Sequence, residues 1–177
     1  EDSSVLVRGA VITAVSESRG FWIAEGSGAN QGIYVCHRGE SPAEWQRGAV
    51  VDVQGTYVEY FNLSELTDVE VTVLPGGPVD VPEAVVVTAE EIADGGDQAE
   101  RLEGVLVTVE DVAIMNPNPD GPSNDYGQIE IYQGLWLDDL IVRNLTDGEL
   151  FARETGVRFQ SITGIAHYSF EHRKLLP

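Results

Sequence analysis

The chain has 177 residues, 42% of them hydrophobic, and its 30 acids against 10 bases give a formal net charge of −20. The apolar residues suffice for a packed core, but no apolar run approaches the roughly 20 residues that a membrane-spanning helix needs. A surface this acidic repels nucleic-acid phosphates. The single cysteine, Cys36, excludes an intrachain disulfide and a thiolate zinc cluster. Because the chain opens on Glu1 without a charged and apolar leader, we expect a mature or trimmed segment.

Residues 1–82 predict one five-stranded unit. Short, valine-rich segments separated by Gly- and Ser-containing turns are typical of β-strands. The five segments are residues 5–15, 21–25, 33–37, 50–60 and 65–74. Before the fourth segment, "SPAEWQRG" places Pro42 at a first helical position and Gly48 at a stop, which predicts one or two helical turns. Three strands, a short helix and two more strands is the order of an OB-fold, a partly open Greek-key barrel.

Residues 83–101 predict a linker that contains a short helix. The preceding "PGGPVDVPEA" is rich in Pro and Gly, as extended connectors are. Thr88 and Glu91 have the spacing of a capping box, and Gly95 is a helix terminator.

Residues 102–177 predict a second unit of the same kind. Its strand-like segments are residues 101–114, 128–133, 135–142, 157–168 and 173–177, with residues 147–156 in the place of the short helix. The two units also share a pattern, because "QGTYVEYFNLSELT" and "TGIAHYSFEHRKLL" align without a gap. The matches are Gly55 with Gly164, Phe61 with Phe170 and Leu66 with Leu175.

The sequence therefore predicts an all-β protein made of two tandem OB-fold-like five-stranded Greek-key barrels with one or two short helices. The first barrel would span residues 1–82, the linker 83–101 and the second barrel 102–177. We expect Tyr60, Phe61 and Phe170 to close the barrel ends as core residues, since large apolar side chains are usually buried.

These motifs carry a resemblance to a known group of proteins. "GTYVEYFNLSELT", "GLWLDDL" and "ITGIAHYSFEHRKLLP" resemble the noncatalytic OB-type region that precedes the nuclease domain in secreted bacterial nucleases of the endonuclease/exonuclease/phosphatase superfamily. Related secreted or lipid-anchored bacterial proteins carry similar patterns. The resemblance covers residues 5–177 and implies a secreted or cell-envelope bacterial protein. The catalytic residues of those nucleases lie in a further domain, so the resemblance implies no hydrolytic residue in this chain.

Ligand-binding candidates follow from the OB-fold, in which strands two and three and the adjoining loops carry the ligand. Alternation along "FWIAE" and "IYVCH" places Trp22 and Tyr34 on the face opposite Phe21, Ile23 and Val35. An outward Trp22 and Tyr34 would form a stacking platform; the alternative is that the other unit covers them. The eight candidates are Arg19, Trp22, Tyr34, Arg38, Tyr57, Tyr60, Tyr132 and Trp136.

The only metal candidate is a turn-rich loop at residues 116–127. Asp120, Asn124 and Asp125 offer the hard oxygen ligands that Ca²⁺ prefers, although the loop lacks a closing bidentate Glu. The alternative is a solvated turn held by Asx-type hydrogen bonds. We expect no other cofactor.

The sequence predicts a binding module and not an enzyme. It contains no phosphate cradle, nucleophile elbow or Ser/His/Asp arrangement, and its paired acids are neighbours whose side chains diverge on a strand. The leading hypothesis is a noncatalytic binding or scaffold module for an unidentified polymer or protein partner. The alternatives are a single-stranded nucleic-acid-binding accessory region, which the net charge disfavours, and a purely structural spacer.

Overall fold

The structure, a computed structural model, describes residues 3–16, 19–141 and 152–177. It confirms the all-β prediction, since the described residues form two barrels of five strands each. The strands of the first barrel are β1 (Ser3–Ser16), β2 (Gly20–Ala24), β3 (Gly32–Cys36), β4 (Val50–Tyr60) and β5 (Leu63–Val73). Those of the second are β7 (Leu106–Asn116), β8 (Gln128–Ile131), β9 (Trp136–Asp138), β10 (Arg158–Ser169) and β11 (His172–Leu176).

Strand order identifies both barrels as OB-type. The first closes in the order β1-β2-β3-β5-β4, and the second in the equivalent order β7-β8-β9-β11-β10 through the pairing of β10 with β7. The strand pairs within each barrel are antiparallel except β3 with β5 and β9 with β11. A short strand, β6 (Val85–Val87), adds to β7 in parallel, so part of the predicted linker belongs to the second sheet.

Each barrel has its own core. Along β2 and β3 of the first barrel, successive side chains alternate between the core and the outer face, as predicted. Phe21, Ile23 and Val35 lie inside the first barrel, as predicted. The second barrel is closed at one end by the helix α1 (Ala89–Ile92), whose Ile92 joins the core of that barrel. The predicted capping box is present, with the Thr88 hydroxyl accepting from the Glu91 amide. A 3₁₀ turn at Tyr132–Gly134 lies between β8 and β9.

The prediction of a helix in "SPAEWQRG" was wrong. This segment contains isolated turns, in which the amide of Trp45 donates to the carbonyl of Pro42 and that of Ala49 to Gln46, both at 2.9 Å. So short a segment between Pro42 and Gly48 cannot offset the cost of helix nucleation. The predicted strand 135–142 was too long, because β9 ends at Asp138. Of the segment expected to replace the helix in the second unit, residues 147–156, the first half (147–151) lies outside the described residues.

The prediction that Phe61 and Phe170 are core residues was also wrong. Their exposed fractions are 81% and 82%, and Tyr60 is 53% exposed. Tyr60 pairs with Leu63, and Ser169 pairs with His172, so only two residues connect the strands of each hairpin. A two-residue connection projects its side chains from the tip of the hairpin and not into the barrel.

The two barrels are joined by a close backbone approach and by apolar packing. Gly32 at the start of β3 faces Gly104, which precedes β7, and a Cβ at Gly32 would overlap the Gly104 carbonyl. Nearby, the amide of Asn30 donates to the carbonyl of Arg101 at 2.6 Å. Glycine at position 32 therefore permits the second barrel to dock. Among the described residues, no helix is long and apolar enough to cross a membrane.

Substitution of Gly32 tests this docking. Gly32→Ala should lower the free energy of unfolding by about 1–3 kcal/mol, because the added methyl group must displace backbone atoms. Gly26→Ala is the matched control, since a Cβ there would meet only the flexible Gln31 side chain at 3.2 Å. Urea denaturation of both variants measures the difference, and equal stability of the two would contradict the close approach.

Candidate functional site

Trp22 and Tyr34 point away from the core of the first barrel, but they do not form an exposed platform. Their exposed fractions are 0% and 8%, and their rings lie 5.0 Å apart. They pack with side chains of the second barrel, namely Leu106, Ile165 and Leu176. The prediction of a ligand platform at these two residues was therefore wrong, and the alternative, coverage by the other unit, describes their position.

His167 of β10 is the polar residue at the centre of this contact. Its ring meets Trp22 edge-on at 5.5 Å and Tyr34 at 5.8 Å. Burial, followed by the positive charges of Lys174 and Arg173, lowers the pKa of His167 to about 3. A neutral imidazole therefore lies between the barrels at ordinary pH.

An open groove of about 620 Å³ lies on the outer face of the first barrel, beside the end of β3. It brings together two of the predicted ligand residues, Arg38 and Tyr60. Its other lining residues come from the end of β3, from β4 and from β5: Cys36, His37, Val58, Glu65, Thr67, Asp68 and Val69. This groove, called the β3–β5 groove below, is the candidate binding site of the first barrel.

Two titratable groups of the β3–β5 groove have shifted pKa values. Burial raises the pKa of the Glu65 carboxyl, and the Arg38 guanidinium partly opposes this effect. Burial and the Glu65 carboxylate raise the pKa of the Cys36 thiol. At neutral pH Cys36 is therefore a thiol and not a nucleophilic thiolate. The groove offers an aromatic ring, apolar valines and both signs of charge, which suits binding better than nucleophilic chemistry.

Glu65 and Cys36 were not among the predicted ligand residues, because all eight of those are aromatic residues or arginines. A signal for Glu65 was present in the repeat. Glu65 aligns with Lys174, and both are buried charged residues at the same position of the fifth strand. A charged residue that is buried in both copies of a duplicated element indicates a polar site.

The outer face of the second barrel carries an aromatic stack. The Trp136 indole lies parallel to the His172 imidazole, with ring centroids 3.9 Å apart. His172 Nδ1 is 3.0 Å from the Asp94 carboxylate. Lys174 Nζ lies 5.9 Å from the Trp136 ring centroid and 3.2 Å from the Asp138 carboxylate, so its charge is paired. Trp136 is half-buried, which leaves one predicted ligand residue of this barrel partly accessible.

The remaining predicted ligand residues are not gathered into one site. Arg19 is exposed, and its carbonyl accepts the Tyr34 hydroxyl. Tyr57 packs its ring against the first core and directs its hydroxyl to Glu59. Tyr132 is exposed on the 3₁₀ turn of the second barrel, well separated in sequence from the groove residues. Of the eight candidates, two therefore lie at the interface, two line the groove, Trp136 lies on the outer face of the second barrel, and three lie apart from these sites.

In the structure, the proposed calcium ligands form hydrogen bonds within their own loop. Asp120 accepts the Tyr126 amide at 3.0 Å, and Asp125 accepts the Gly127 amide and pairs with Arg153, also at 3.0 Å. Asn124 offers its backbone carbonyl to the Asn118 side chain. Within the described ranges, no group of three or more His, Cys, Asp or Glu residues is placed to hold a metal ion. The loop thus has the hydrogen bonds expected of the Asx-type alternative.

No protein-family model, curated protein or solved structure matches this chain at a significant level. The OB-type assignment therefore rests on the strand order and register of the barrels.

The buried His167 makes stability depend on pH. Because its pKa falls from 6.5 to about 3 on folding, the unfolded chain binds the proton more readily below pH 6.5. His167 makes its full contribution to the free energy of unfolding above that pH. About 3 kcal/mol of this free energy should be lost between pH 7 and pH 4. His167→Gln should remove this dependence, whereas His37→Gln, outside the interface, should retain it.

Urea denaturation at both pH values measures the effect as a difference between wild type and variant. Titration of Glu103 changes the free energy of unfolding with pH in the opposite sense, since burial raises the pKa of its carboxyl to about 7. This contribution is common to all three proteins and cancels in the comparison. Identical pH dependence of wild type and His167→Gln would contradict the buried neutral imidazole.

Proposed function

We propose that this chain is a noncatalytic binding module in which two docked OB-type barrels hold a protein or polymer partner in the β3–β5 groove. The observation that supports the proposal best is the groove itself. It is open, measures about 620 Å³, and combines the exposed Tyr60 ring with the Arg38 and Glu65 charges. Aromatic anchors surrounded by a few polar groups are typical of binding sites.

The short pairing of β3 with β5 suggests how an extended segment of a partner would bind. β3 pairs with β5 only at Tyr34–Glu65 and Val35–Leu66, whereas β5 continues to Val73. Beyond Leu66, the edge of β5 that faces away from β4 has no strand partner among the described residues. An extended peptide could add to such an edge through backbone hydrogen bonds, with its side chains reaching Tyr60 and Arg38.

The rest of the fold supports a rigid binding role. The contact of Trp22 and Tyr34 with the second barrel holds the first barrel in place without using the groove. The neutral Cys36 thiol favours binding over nucleophilic catalysis. On the resemblance described above, we place the module in a secreted or cell-envelope bacterial protein of the nuclease-associated group.

Single-stranded nucleic-acid binding is the second candidate, favoured by the Trp136–His172 stack on the outer face of the second barrel. A stacking platform normally works with a positive groove along the backbone. Here the nearest cations are neutralised, Lys174 by Asp138 and Arg173 by Glu100 and Glu103. The charges therefore disfavour this candidate.

Peptide selection tests the groove directly. Peptides enriched from a random displayed library on the wild-type protein should bind at micromolar Kd and alter Trp45 fluorescence, because Trp45 lies 4.8 Å from the groove residue His37. Tyr60→Ala should weaken them about tenfold. Tyr132→Ala is the matched control, since it removes an equally exposed tyrosine from the second barrel.

Two outcomes would contradict the proposal. Selected peptides that bind Tyr60→Ala and Arg38→Ala as tightly as wild type would overturn the groove as the site. An oligothymidylate that binds at micromolar Kd, quenches Trp136 and weakens steeply with salt would favour the nucleic-acid candidate instead.

A further inference from the structure

The two barrels share an unusual hairpin turn. The β4–β5 turn consists of Phe61 and Asn62, with φ angles of 49° and 64°. The β10–β11 turn consists of Phe170 and Glu171, with φ angles of 53° and 67°. Two consecutive positive φ values define a type I′ turn, which favours Asn and Gly. A phenylalanine thus occupies the first left-handed position in both copies.

Burial does not account for these phenylalanines, and the contacts of the two rings differ, since the Phe61 ring meets Tyr60 edge-on with centroids 4.7 Å apart. A left-handed conformation costs a residue with a Cβ roughly 1–2 kcal/mol. Burial of the ring does not compensate, because Phe61 is 81% and Phe170 82% exposed. The Phe170 ring does lie 5.4 Å from Lys174 Nζ, but Glu65 occupies the equivalent position in the first barrel. A contact with an underlying cation is therefore not the shared reason.

Both turns are tied to the same carboxylate. The amide of Ser64 donates to Glu103 Oε1 at 2.7 Å, and Arg173 Nη1 donates to Glu103 Oε2 at 2.5 Å. Ser64 and Arg173 each follow the phenylalanine of their turn by three residues, a reach of at most about 10 Å. Both turns therefore lie near Glu103.

The surroundings of the rings are acidic. Glu171 lies exposed in the second turn, and Glu59 lies beside the first. Beside the second turn, Arg173 is paired with both Glu100 and Glu103. Added to the net charge of −20, this arrangement complements a basic partner and repels an acidic one.

We propose that Phe61 and Phe170 form a two-point docking surface for a basic amphipathic segment of a partner protein. Apolar side chains of the segment pack on the two rings, and its Lys or Arg residues pair with the surrounding carboxylates. This surface goes beyond the β3–β5 groove, because neither phenylalanine lines the groove. The Phe61 ring does contact the groove residue Tyr60, with centroids 4.7 Å apart, so Phe170→Asn and Arg38→Ala, which lie in different barrels, are the variants that separate the two proposals.

The test measures the affinity of a labelled amphipathic lysine–leucine peptide by fluorescence anisotropy. Phe61→Asn and Phe170→Asn should each weaken binding about tenfold, and the double variant about a hundredfold. Met115→Asn, which changes another exposed apolar residue, should bind like wild type. Peptides with serine in place of leucine, or glutamate in place of lysine, should bind at least tenfold more weakly.

Thermal unfolding of the same variants separates docking from a structural role. Asn tolerates positive φ better than Phe, so the melting temperatures of both variants should stay equal or rise. A clear decrease would show that the rings support the fold and would overturn the proposal. Equal affinity of the lysine–serine peptide, or affinities of the Phe→Asn variants within twofold of wild type, would also overturn it.

Discussion

The contact that joins the barrels determines what the rest of the molecule can do. Trp22 and Tyr34 occupy the face that an OB-type barrel usually offers to ligands, yet His167 and its apolar neighbours cover them. The contact buries two large aromatic rings, which is a major source of favourable free energy. It leaves the β3–β5 groove and the hairpin tips as the surfaces at which we propose that the first barrel binds.

The two copies of the hairpin have diverged in a systematic way. Glycines at 55 and 164 and leucines at 66 and 175 are retained, because a Cβ at either glycine would collide with the neighbouring strand or chain end and both leucines fill a core. The outward positions differ: Glu65 of the groove corresponds to Lys174, and Ser64 corresponds to Arg173. The shared residues maintain the barrel, and the exchanged charges give each barrel a distinct outer surface.

The sequence was sufficient to predict the ten barrel strands and the facing of β2 and β3, because alternation and Gly-rich turns are local signals, but it did not predict β6 and made β9 too long. It did not predict the exposure of Phe61, because the predicted strands left four residues between them, whereas in the structure only Phe61 and Asn62 connect β4 and β5. It could not predict the coverage of Trp22, because an outward aromatic ring looks the same whether solvent or a second barrel faces it. The β3–β5 groove likewise depends on where β3 leaves β5, which no local pattern encodes.

The docked arrangement of the barrels depends most directly on the burial of Trp22 between them. A variant carrying Trp45→Phe and Trp136→Phe retains Trp22 as its only tryptophan, so acrylamide quenching of its fluorescence reports the accessibility of that ring. We predict blue-shifted emission and resistance to quenching in the folded protein, both lost in denaturant. Red-shifted emission with quenching close to that of the denatured chain would show that the ring faces solvent and would contradict the docked arrangement.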